Sequence, residues 1–152
     1  MAAGATAEQA VAAVDATGGT AIHSGTEALG IVGEAAGPDV ACGGNLLAAD
    51  TIPGTMVSAF LSSSGLLAER LLTAMQGAVD AGGEAGPIHS AGLKLVGSVE
   101  WPIVDLRVDW AEGCPVAELM ALWRVYGPQV DDYVTRALDP AAAPGYGESG
   151  DI

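Results

Sequence analysis

Apolar and polar positions fall first into short strand-like runs cut by glycine, then into longer stretches of helical spacing. Gln9 to Ala16 reads as a strand, Thr17-Gly18-Gly19 as a turn, and Thr20 to Ser24 as the return strand of a β-hairpin. Residues 25–37, rich in Gly and Glu with one apolar patch at Leu29–Val32, read as a loop. Pro38 to Leu47 reads as a strand whose Gly43-Gly44 pair implies a bulge or a close backbone approach. Pro53 suits a helix start, Met56, Val57, Phe60 and Leu61 share one helical face, and Ser62-Ser63-Ser64-Gly65 ends that run. Leu66 to Asp80 is a second helix, with Leu67, Leu71, Leu72, Met75 and Val79 at helical spacing and Gly82-Gly83 as its stop.

Two alternating runs follow. Ser90 to Ser98 is one; Val104 to Trp110 is the other, with Val104, Leu106 and Val108 facing one way and Asp105, Arg107 and Asp109 the other. Pro115 to Leu138 has the strongest helical stripe, through Val116, Leu119, Met120, Trp123 and Val130, and Gly127-Pro128 should kink or split it. The order of hairpin, strand, two helices, two strands and helix argues for α+β layers rather than a parallel doubly wound sheet. Residues 9–138 form one domain, and residues 1–8 and 139–152 have little to bury and are expected to be disordered.

Composition narrows the picture. The apolar half of the chain is mostly Ala, Val and Leu, with one Phe, so the core is expected to use small side chains, with Trp101, Trp110 and Trp123 anchoring the long helix. Net charge is −14 and only Arg70, Lys94, Arg107, Arg124 and Arg136 are basic. That excludes a phosphate-binding patch for nucleic acid and attraction to an anionic membrane surface. No stretch reaches the ~20 apolar residues of a membrane span, and the start lacks the positive end of a secretory signal. Cys42 and Cys114 make no CxxC pair, which suits a cytoplasmic chain with two unpaired thiols.

Candidate chemistry is sparse. Asp105, Arg107 and Asp109 recur at period two, about 7 Å apart, so Arg107 can bridge both carboxylates. The cluster could orient a substrate, or it could be an ion-pair ladder on a solvated face. Asn45 follows two glycines, where a side-chain amide beside bare backbone is either an oxyanion donor or the cap of its own turn. His23 and His89 are the only histidines, and His89-Ser90 point to opposite faces, so they make no triad. A thiolate at Cys114 would be favoured by the helix start at Pro115. No metal-ligand spacing, calcium loop or nucleotide-binding glycine motif occurs, and no cofactor is expected.

Three segments carry a resemblance: AVAAVDATGGTAIHSG at 10–25, GGNLLA at 43–48 with LAERLLTAM at 67–75, and VDLRVDWAEGCPVAELMALWRVY at 104–126. In this order they resemble DUF1028, an uncharacterised family regarded as related to the N-terminal-nucleophile (Ntn) hydrolases. The resemblance covers residues 9 to 126, and VDLRVD followed by PVAEL is its specific part.

It implies a four-layer αββα sandwich in which the first residue, a Thr, Ser or Cys, attacks an amide carbonyl. Its own α-amine, titrating near ~8, would be the base. Residue 2 is Ala2, and GPIHSAG at 86–92 departs from an Arg- and Gln-rich pattern. The resemblance therefore implies the C-terminal portion of such a sandwich, incomplete at the N-terminus, with no nucleophile in this chain. Asn45 would be an oxyanion donor and a small amide the substrate. Two functions stay open: a piece of an amide-bond hydrolase completed by a partner polypeptide, or a non-catalytic interaction subunit or decayed homologue. The second predicts an exposed sheet edge and a homo-oligomer.

Overall fold

The computed structural model describes residues 7–145. Three antiparallel hairpins and four helices follow one another: β1 (Ala10–Val14), β2 (Thr20–Ser24), β3 (Ile31–Gly37), β4 (Val40–Leu47), α1 (Ile52–Ser62), α2 (Leu67–Asp80), β5 (Ala91–Val96), β6 (Pro102–Val108), α3 (Pro115–Tyr126) and α4 (Val130–Leu138). Each hairpin is its own two-stranded ladder, β1-β2, β3-β4 and β5-β6. The mixed α+β class is as expected.

The first hairpin turns where Thr17-Gly18-Gly19 calls for it. The Asp15 carboxylate accepts from the Thr17 hydroxyl (2.7 Å) and from the backbone N–H groups of Thr17 (2.8 Å) and Gly19 (2.9 Å). The expected loop over 25–37 is a correction: Ile31–Gly37 is a strand paired with β4. Its sequence, IVGEAAG, lacks alternation because its small residues answer to neighbours rather than to a buried stripe. A Cβ on Gly33 would lie 2.6 Å from the Asp50 carbonyl oxygen, and one on Gly37 would meet Val57 and Leu61 of α1 at 3.0 Å. The ladder is irregular between Ile31 and Gly33, and Leu46 on β4 is held at φ 54.

Glycine also ends α2. The Gly82 N–H donates to Val79 O (3.0 Å) and the Gly83 N–H to Ala78 O (2.8 Å), a Schellman arrangement with Gly82 at φ 111. At the other end, the Glu69 carboxylate accepts from the Leu66 N–H. The long C-terminal helix is split, as Gly127-Pro128 suggests: a 3-10 turn over Gly127–Gln129 separates α3 from α4.

Two clusters make the core. Val40, Val57, Phe60 and Ala74 join α1 and α2 to β3-β4. Leu72, Leu93, Leu95, Val104, Val108 and Leu119 join α2 and α3 to the inner face of β5-β6. Helix α2 touches both clusters, so it ties the halves together. Leu72 and Leu119 are fully buried, each contributing about 1.5–3 kcal/mol by burial. Of the three Trp, Trp123 packs against this core, whereas Trp101 and Trp110 are exposed, which corrects their expected anchoring role.

The first hairpin stacks on the second. Register puts Gly43 on the face of β4 opposite Val40 and Cys42, and Ile22 of β2 reaches that face, 3.5 Å from where a Gly43 Cβ would be. The hairpin tips also meet: Gly18 (φ 83) has no room for a Cβ because the Asp39 carboxylate fills it. β1 is exposed along its whole length.

The loose start expected at 1–8 falls mostly on residues 1–6, and much of the expected tail on 146–152, both outside the described residues. Residues 139–145 form turns, with Arg136 Nη2 donating to Pro144 O at 2.7 Å.

Candidate functional site

The end of β4 builds a cleft. Gly43-Gly44-Asn45 forms one rim, and the 83–90 segment after α2 forms the other. They are tied by backbone bonds: Ala48 N–H to Gly83 O (2.9 Å) and Ala85 N–H to Leu46 O (2.8 Å). The space between is roughly 290 Å³, walled by Ile52, Met56, Met75, Val79, Ile88 and Val116, with Asn45, Glu84 and Ser90 as its polar side chains. Small apolar sites with a few convergent polar groups suit small ligands.

Asn45 has a structural job at this rim. Its Nδ2 donates to Leu29 O at 3.2 Å, and the Leu46 N–H donates to the same oxygen at 3.0 Å. One amide proton and the amide oxygen of Asn45 remain for another partner. The left-handed Leu46 next to it is a conformation a branched side chain rarely holds, and such residues concentrate at working sites.

Asp105 and Arg107 share the outer face of β6 and Asp109 follows its last residue, but Arg107 does not bridge the two acids. It pairs with Asp109 alone (2.5 Å), while Asp105 pairs with Lys94, its register partner on β5, at 3.0 Å. The physical reason is the ladder: a directly opposed cation is nearer than one two residues along the same strand. All four side chains are largely solvated, and none lines the Asn45 cleft. The structure therefore does not bring the two candidate sets together.

The other singled-out residues have local partners. His89 Nδ1 lies 2.9 Å from Ala111 O, and its ring stacks on Trp110 at 4.0 Å. His23 is exposed on β2. Cys42 is half-buried against α1, and that burial pushes its thiol pKa up. Cys114 starts α3 in a neighbouring hollow with Glu84 and Ile88. Among the described residues, no group of three or more His, Cys, Asp or Glu is positioned to hold a metal ion, and no helix is long and apolar enough to cross a membrane.

The model of a family of unknown function, DUF1028, matches residues 2–119. The chain belongs to this family. A crystal structure of a DUF1028 protein from Silicibacter pomeroyi superposes with a TM-score of 0.68 at 29% identity, over 77% of this chain and 51% of that one. The chain thus spans about half the length of that DUF1028 protein. No curated protein matches it.

The DUF1028 match takes in both rims of the cleft and the start of α3, and stops at Leu119, short of α4. Sequence reasoning missed Glu84, Ser90 and the Met56 and Met75 walls as one site. Only Gly82-Gly83 hinted that the chain turns back there, and its pairing with β4 is a tertiary fact no local pattern carries.

Proposed function

We propose that this DUF1028 chain is one part of an Ntn-hydrolase-like amide hydrolase, with the Asn45 cleft as the substrate site. The supporting observation is the order of layers: helices α1 and α2, then β3-β4, then β1-β2, with no helix among the described residues over the outer face of the first hairpin. Ile22 is on the inner face, so register puts Val11, Ala13, Ala21 and His23 on the outer one, and Val11 is 51% exposed. In an αββα stack a second helical layer covers that surface. Further polypeptide docked there would complete the sandwich and bring a Thr, Ser or Cys whose α-amine is free. Were that residue to reach the cleft, the spare Nδ2 proton of Asn45 would be available to the carbonyl oxygen as charge develops on it.

The test uses the native protein isolated with whatever polypeptide accompanies it. N-terminal sequencing should find a Thr, Ser or Cys in the assembly, and a panel of fluorogenic amides should be cleaved. Asn45→Ala should lower kcat about 10²–10³-fold with KM little changed. An active assembly indifferent to Asn45→Ala would remove this cleft from the mechanism, and an inert assembly with no such terminus would remove the hydrolase.

A second reading, a non-catalytic interaction subunit, is favoured by the solvated ion pairs of β6, which touch no cleft. It predicts a stable oligomer by light scattering with no amide turnover.

A further inference from the structure

Charge decides what the Asn45 cleft can accept. The chain has five cationic side chains against 19 carboxylates. Every one of the five is elsewhere. Lys94 pairs with Asp105 and Arg107 with Asp109 on the outer face of β6. Arg70 lies over the Phe60 ring at 3.9 Å and donates to Phe60 O. Arg124 lines a different hollow beside Trp123, and Arg136 holds Pro144 O. No Lys, Arg or His lines the cleft, whereas Glu84 does.

No cationic side chain adds to the positive potential of the two helix starts at the cleft, α1 with its first residue Ile52 and α3 with its second, Val116. A helix start carries roughly half a positive charge, felt over about a turn. Glu84 on the cleft rim and Glu118 in the first turn of α3 set carboxylates against these partial charges. A ligand carboxylate here would meet no counter-ion and would be set against apolar walls that exclude its water. An amide has the opposite fit: its oxygen can take the spare Asn45 proton, and its N–H can reach the Ser90 hydroxyl or the Glu84 carboxylate.

We infer that the Asn45 cleft selects small amides that are neutral or cationic, with Glu84 receiving the cation, and rejects amides that carry a carboxylate. This rests on the cleft being an amide site. Substrates would be uncapped amides or amino-amides with a short apolar chain, not carboxylate-bearing ones such as asparagine-like half-amides of diacids.

Three probes of matched length test the inference on the whole isotope-labelled protein at low ionic strength: butyramide, 4-aminobutyramide and succinamate. Amide and methyl resonances of Gly43, Gly44, Asn45, Met56, Met75 and Ser90 are followed by NMR. Butyramide and 4-aminobutyramide should shift them at least ~10-fold more tightly than succinamate, with 4-aminobutyramide the tighter of the two, and Glu84→Gln should weaken 4-aminobutyramide more than butyramide. Equal or tighter binding of succinamate at these residues would overturn the charge selection and leave the amide site standing. If no probe moves the cleft resonances, the amide site itself fails, and the selection with it.

Discussion

Lys94 and Asp105 face each other across the β5-β6 ladder, with Nζ 3.0 Å from Oδ2, so the carboxylate that spacing offers to Arg107 is already taken. The pair is on the outer face, its side chains 61% and 45% exposed, where water screens most of the attraction. A double-mutant cycle of Lys94→Ala and Asp105→Ala, read by urea denaturation, should give a coupling of about 0.2–1 kcal/mol that fades in 1 M salt.

Gly33 and Gly54 should respond in opposite directions to alanine. At Gly33 the new Cβ would press on the Asp50 carbonyl and on Pro53, both backbone-fixed, and overpacking of this kind costs about 1–3 kcal/mol. At Gly54, inside α1, nothing lies within 4 Å of the new Cβ, so Gly54→Ala should stabilise by about 0.5–1 kcal/mol through helix propensity. Thermal denaturation of the two variants should move Tm down and up respectively.

The Asp15 turn should loosen in acid. The Thr17 hydroxyl first, then the Thr17 and Gly19 N–H groups, hold the Asp15 carboxyl below its ordinary value of 3.8. A carboxyl depressed in the folded state adds stability above its unfolded value, and that addition disappears as pH falls through the folded one. Hydrogen exchange at Thr17 and Gly19 should therefore be protected at neutral pH and accelerate below about pH 4, beyond the intrinsic pH dependence of exchange. In Asp15→Ala the protection should be weak at every pH.

Leu119 is where the third hairpin meets α3, and it has no exposed surface. Leu119→Ala should destabilise by about 2–5 kcal/mol in denaturant titration. Leu122→Ala, three residues on and partly exposed, should cost well under half of that.

What the sequence discloses follows the reach of each interaction. Helix α2 is legible because its stripe, its Glu69 start and its Gly82-Gly83 stop all lie within one segment. The inward Val104, Leu106 and Val108 are legible because β6 is half-buried and alternates accordingly. β3 is not legible: its glycines make room for α1, some 20 residues further on, and no local pattern records that. The same limit applies to the ion pairs, where register alone decides which acid Lys94 meets, and to the cleft, whose two rims lie about 40 residues apart in the chain.

The contact between the tips of the first two hairpins has a kinetic consequence. With Gly18 seated on Asp39 and Ile22 on Gly43, the outer hairpin is held at its turn and at one point along β2. It cannot slide or peel away without breaking both contacts. A polypeptide arriving at Val11 and Ala13 would meet a hairpin already in place, so capture would be governed by orientation on encounter, at about 10⁵–10⁷ M⁻¹s⁻¹.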